Sequence, residues 1–223
     1  MQIVTLTKAE QVRHAILLQI LSGELRPGQR LLEAQLSKEL GVSQATINGA
    51  LQDLHNQGLV TKLLNRSTNV SRYTRREIEN LFAVRLVLEP AAAAAVSTSW
   101  SKDVRVRLRD QVDMMRRSAA NKDLAKFCLA DYQFHQEVYR STGNTFLIQA
   151  CQAIAAAPFA YILCDHLEAL PTDYAALAED HGDLIRAMEQ GPEEAVRATR
   201  SRIEAWLEHS LHALEPAPAP INS

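Results

Sequence analysis

The chain has 223 residues, 47% of them apolar, 22% charged and only 5% aromatic. That is enough apolar material for one large domain or two small ones, in a composition that leans helical rather than β. Lys8, Glu10 and Arg13 fall where the apolar stretch of a secretory leader would sit, and the longest apolar run, AIAAAPFAYILC at 153–164, contains Pro158 and is far short of the roughly 20 residues a membrane span needs. The net charge of −2 hides a division: residues 1–76 hold ten Lys/Arg against five Asp/Glu (+5), and the remainder fourteen against twenty-one (−7). A basic front on an acidic back points to a polyanionic partner for the front. Cys128, Cys151 and Cys164 form no C-x-x-C pair, and they read as reduced, buried thiols of a cytoplasmic protein.

In chain order, the first predicted helix opens at Thr7, with Glu10 at capping-box spacing. Val12, Ile16, Leu17, Ile20 and Leu21 form its apolar stripe, and Ser22-Gly23 ends it. LRPGQRL (25–31) carries a Pro-Gly turn signal. A second helix is predicted at about 33–40, with Gly41 as its stop. Ser43 caps a third, SQATINGALQDLHNQ, whose Ile47, Ala50, Leu51 and Leu54 face inward, and Gly58 closes it. LVTKLL and STNVSR read as two short strands joined by a turn near Asn65 and Arg66. This order is that of a winged helix-turn-helix, in which the third helix enters the major groove and the wing touches backbone or minor groove.

Thr74, with Glu77 in capping-box position, begins a second module. Six helices are predicted, at about 74–98, 101–120, 122–141, 144–165, 172–190 and 192–213, with breaks at Thr98–Ser101, Ala120-Asn121-Lys122, Gly143-Asn144, Pro171 and Gly191-Pro192. The expected architecture is mainly α: a winged domain over 1–73, an all-α six-helix bundle over 74–214, and a frayed Pro/Ala-rich tail over 215–223. Within the bundle, DYQFHQEV (131–138) places Asp131 and His135 one helical turn apart on one face.

The set G-E-L-R-P-G-Q-R-L (23–31), E-L-G-V-S (39–43), A-L-Q-D-L-H-N-Q-G-L-V (50–60), V-R-L-V-L-E (84–89), D-Y-Q-F-H (131–135), S-T-G-N (141–144) and E-D-H (179–181) resembles a GntR-family transcriptional regulator of the FadR type with a C-terminal FCD ligand-sensing domain. The resemblance spans about residues 5–210. It implies a cytoplasmic homodimer on a palindromic DNA operator, a repressor in the default case, tuned by a small organic or amino acid anion. The family's reading helix usually runs S-R-T-P-V-R-E-A-L; here it is S-Q-A-T-I-N-G-A-L (43–51). Ser43, Gln44, Thr46 and Asn48, with Arg66 of the wing, are the expected DNA contacts. Asn and Gln suit adenine as Arg suits guanine, so the operator is expected to be richer in A·T where they read. Two lost guanidinium groups weaken the phosphate grip, and a DNA-silent sensor with a degenerate reading helix is the alternative.

The resemblance also implies a divalent metal (Zn, Ni, Mn or Fe) held by one Asp and three His. Asp131, His135 and His181 match the first three positions, but Arg202 stands at the fourth, and His209, seven residues on, lies about 10 Å further along the axis. Three readings follow: a metal held by Asp131, His135 and His181; a metal-free anion pocket built on Arg202 and the histidines; or a polar core without ligand. Arg85 is a second candidate effector contact, against the simpler reading of an Arg85–Glu89 pair orienting its own helix. A metal-dependent enzyme is the remaining alternative, and the sequence offers it neither an H-E-x-x-H motif nor a general base beside the site.

Overall fold

The computed structural model describes residues 7–62, 67–154 and 173–213. Helix α1 spans Lys8–Leu21, and Thr7 caps it in a closed box: Glu10 N–H donates to Thr7 Oγ1 (3.2 Å) while Thr7 N–H donates to Glu10 Oε2 (2.7 Å). Its buried residues are Val12, Ile16, Leu17, Ile20 and Leu21, the stripe read from the sequence, and they pack on α3. Helix α2 (Glu33–Leu40) ends at Gly41, whose φ of 65° is a left-handed cap that glycine reaches without a Cβ clash. Helix α3 (Gln44–Asn56) is capped by the Ser43 hydroxyl and turns Ile47, Ala50, Leu51 and Leu54 inward.

The wing contains one strand more than expected. Strands β2 (Val60–Lys62) and β3 (Thr68–Val70) pair antiparallel, and β1 (Arg30–Leu31), from the Pro-Gly turn segment, adds to the other edge of β3, with Arg30 opposite Asn69. Asn65 and Arg66 at the wing tip lie outside the described residues.

Helix α4 (Arg75–Thr98) starts from a second closed capping box between Thr74 and Glu77. It is followed by α5 (Lys102–Ala120), α6 (Leu124–Ser141), α7 (Thr145–Ile154), α8 (Tyr174–Gln190) and α9 (Pro192–Ala213). Helices α4 and α9 pack along each other, and α5 lies against α6 and α8. Buried Phe82, Phe127, Phe134, Leu108, Met115, Ile185 and Ile203 fill the space between them. The fold is therefore mainly helical, a winged helix-turn-helix with a small antiparallel sheet joined to a helical bundle. The expected continuation of the fourth bundle helix to 165, Pro171 and the tail at 215–223 lie outside the described residues. Cys151 is free and buried, whereas Cys128 is disulfide-bonded, a departure from the reading of three reduced thiols. The two modules touch where α1 meets α6, and there the charge of Arg13 acts on the Tyr132 hydroxyl.

Candidate functional site

Helical periodicity on α6 turns Asp131 and His135 to the inside, where both are buried. His181 on α8 meets them, and its side chain is 1% exposed. One donor atom from each of the three lies within 4.8 Å of the others, so the group could hold a metal ion. Phe134, between the two α6 residues, stands edge-on to both imidazoles, with ring centroids 5.7 Å from His135 and 4.9 Å from His181. That apolar ring limits how far the histidines can turn.

His181 is flanked by oxygen on both sides. Leu177 O lies 2.8 Å from Nδ1 and Asp131 Oδ1 lies 2.7 Å from Nε2. A neutral imidazole has one donor and one acceptor nitrogen, so one of these contacts sets two acceptors face to face. A proton or a cation near Nε2 resolves the conflict. Burial, and after it the charge of Arg202, pushes the pKa of His181 down, which disfavours the proton. The donor set therefore fits a cation, with Nδ1–H turned to a backbone carbonyl as metal-bound histidines commonly have it.

Arg202 on α9 complicates that fit. Its Nη2 is 2.7 Å from Nε2 of His181 and 3.2 Å from Nδ1, and 3.8 Å from Asp131 Oδ1. An atom on the lone-pair axis of Nε2 would be much farther from Nδ1 than from Nε2. The guanidinium thus lies over the edge of the ring, a stacked cation rather than an in-line donor. Its Nε is buried and has no hydrogen-bond partner among the described residues.

On α4, Arg85 and Glu89 form a buried two-point pair, Nε to Oε1 at 2.6 Å and Nη2 to Oε2 at 3.2 Å. Glu89 Oε2 also faces His135 Nδ1 at 3.8 Å. Burial raises the pKa of Glu89, but Arg85 and then His135 outweigh it and hold the carboxyl below its usual range. Asp131 behaves alike: burial opposes its charge, and His181, His135 and Arg202 hold it well below the ordinary value. Burial drives His135 down to about 4 against the pull of Glu89 and Asp131. With both histidines neutral, the two arginines and two carboxylates balance. A divalent ion would add two buried positive charges that only an incoming anion could offset.

In the winged module, α3 exposes Gln44, Ala45, Asn48, Gly49 and Gln52. The Ser43 hydroxyl accepts from Thr46 N–H at 3.2 Å and lies 2.9 Å from its hydroxyl, so both side chains serve the cap. Asn48 Nδ2 donates to Glu33 Oε1 of α2 at 3.0 Å. Gln44 projects from the first turn without such a tie among the described residues.

The FCD domain family matches residues 80–205, more than half of the chain, and the bacterial regulatory proteins of the gntR family match residues 8–70. The chain is a GntR-family regulator with an FCD domain. This regulator is 28% identical over 208 residues to the "Probable D-xylose utilization operon transcriptional repressor" of Paenarthrobacter nicotinovorans, covering 93% of this chain and 90% of that protein. It is 25% identical over 174 residues to the gluconate operon transcriptional repressor of Bacillus licheniformis, covering 77% and 71%. In fold it is similar to E. coli McbR/YncC, with a TM-score of 0.78 at 17% identity over 95% of this chain and 100% of that one. A GntR transcriptional regulator from Rhodococcus sp. RHA1 gives 0.76 at 20% identity over 93% and 99%. The GntR regulator is accordingly a ligand-responsive DNA-binding transcription factor.

Of the residues singled out in the sequence of this GntR regulator, Asp131, His135, His181 and Arg202 come together. Arg85 lies in the same buried region but is committed to Glu89. His209 packs against Trp206 on the outer side of α9, apart from the triad. Glu89 as a neighbour of His135, and Tyr139, which lines the same small cavity as Glu89 and His135, were not among the expected site residues. Glu89 had a sequence signal only as the i+4 partner of Arg85.

Proposed function

We propose that this regulator is a cytoplasmic repressor that binds a palindromic operator as a homodimer and leaves it when the helical domain takes up a small organic carboxylate. The observation that carries the effector class is Arg202, a guanidinium buried against His181 with spare donors. Desolvated guanidinium groups with unfilled hydrogen-bonding capacity bind carboxylates strongly and in two-point geometry. A relative described as a gluconate operon repressor supports the same class.

A divalent transition ion would be held by Asp131, His135 and His181. It would supply a Lewis-acidic positive centre on the inner side of the pocket. Arg202 beside it lowers the affinity for the ion through like charge, so the site is a weak one. Gln44, and Asn48 once released from Glu33, would read the operator, with Ser43, Thr46 and Arg66 at the backbone. The tie between Asn48 and Glu33 and the missing arginines favour one second reading, a sensor that no longer binds DNA.

The test uses two probes that differ in charge, gluconate and D-xylose. Operator DNA from beside the protein's own gene is bound and each compound is titrated in. Release by the anion and not by the neutral sugar is expected. Release by D-xylose alone would refute a carboxylate effector.

A further inference from the structure

We infer that Lys62, on strand β2 of the wing, is a DNA-phosphate contact, and that Gln52 of α3 is the residue that positions it. This rests on the reading of α3 as the helix that enters the operator. Helix α3 itself, Gln44–Asn56, contains neither lysine nor arginine. A phosphate grip beside it must come from a neighbouring element, and Lys62 Nζ donates to Gln52 Oε1 at 2.8 Å.

Four exposed carboxamides stand four residues apart on α3: Gln44, Asn48, Gln52 and Asn56. Such a row drifts by about 40° per step. Gln44, in the first turn, is where a reading helix meets base edges. Gln52 lies about 12 Å further along the axis and about 80° around it. The major groove is about 12 Å wide, so the surface of α3 at Gln52 comes abreast of the phosphate strand that borders the groove. The two flanks of the row differ in charge. On the α2 side Glu33 Oε1 accepts from Asn48 Nδ2 at 3.0 Å, which sets a carboxylate there. On the wing side stands the ammonium of Lys62.

The way that ammonium is held suits a phosphate. Gln52 Nε2 donates to Asn56 Oδ1 at 3.0 Å, which turns the amide oxygen toward the lysine. With its oxygen and one N–H engaged, Gln52 acts as an anchor and not as a reader of bases. The anchor is neutral. A carboxylate in its place would offset the lysine's charge, as Glu79 does for Arg75 at 3.2 Å. Among the described residues Lys62 has no carboxylate partner. One of its three donors goes to Gln52, so two remain for a phosphate oxygen at full positive charge. Holding the long side chain in place beforehand lowers the ordering cost of binding.

The test measures binding of the full-length protein, by fluorescence anisotropy, to the DNA beside its own gene and to an unrelated duplex, over a series of potassium chloride concentrations. Each phosphate contact adds about 0.9 to the steepness of log K against log salt. Lys62→Gln should make the slope shallower by about 0.9 for each winged domain on the DNA. It should weaken both duplexes by the same factor, about tenfold per winged domain, because phosphates carry no sequence. Lys62→Arg should keep the slope. Gln52→Leu should also weaken binding, and adding it to Lys62→Gln should cost nothing more. An unchanged slope in Lys62→Gln, or a loss confined to the gene's own DNA, would overturn the phosphate contact and leave α3 as the reading helix. A further loss in the double variant would overturn the positioning role of Gln52. Failure of the natural protein to bind either duplex would overturn this assignment and the reading of α3 together.

Discussion

Arg202 and His135 are the residues on which the chemistry of the buried site turns. In Arg202→His a fixed cation gives way to a neutral donor. The variant should hold zinc or nickel at least about tenfold more tightly than the natural protein. Elemental analysis after dialysis should find close to one ion per chain in the variant and less in the natural protein. Equal contents would mean that Arg202 does not weaken the site. His135 gives a pH signature in the chelator-treated protein. Its pKa falls from 6.5 to about 4 because burial outweighs Glu89 and Asp131. Above the unfolded value the ring is neutral in both states and its contribution to stability is complete. As pH falls from 6.5 toward 4, the unfolded chain binds a proton that the folded chain refuses, and stability drops. Between about pH 7 and about pH 5 the loss is on the order of 2 kcal/mol. Urea unfolding at the two pH values measures it, and a His135→Leu variant should show a shallower dependence.

At the scale of elements, α3 carries a weakness in its own sequence. Gly49 sits mid-helix, exposed, and a Cβ built there meets nothing within 4 Å. Gly49→Ala should stabilise the protein by roughly 0.5–1 kcal/mol, a rise of about 1–4 °C in Tm. No rise would show that the helix is not limited by its glycine. Helix starts were the most legible part of the chain. Thr7 with Glu10 and Thr74 with Glu77 close the boxes their spacing predicts, because a cap is made within four residues. Strand β1 was not legible, because a two-residue strand exists only through its pairing with β3, and Arg30 has no local sign that Asn69 will lie opposite. The pair Asp131 and His135 could be read from helical period. Glu89 facing His135 and Arg202 stacking on His181 could not, since each depends on how separate helices pack.

Across the whole molecule, effector and operator must be linked, and the structure offers one link beside the site. Tyr132 follows Asp131 on α6, and its hydroxyl feels the charge of Arg13 of α1, the helix that packs on both α6 and the reading helix α3. Movement of α6 would thus reach α3 through α1. Tyr132→Phe should leave effector binding and operator binding each near their natural strength. It should reduce the coupling between them by roughly 0.5–2 kcal/mol. An unchanged effector response would place the link elsewhere.

The most direct test of the account as a whole is footprinting of the natural protein on the DNA beside its own gene, at low salt, next to the double variant Gln44→Arg/Asn48→Arg. The account predicts that the natural protein protects a palindrome rich in A·T where α3 enters the major groove, and that the double variant shifts its preference toward guanine at those positions. Protection by the double variant alone, with none by the natural protein, would contradict it and leave a sensor that no longer reads DNA.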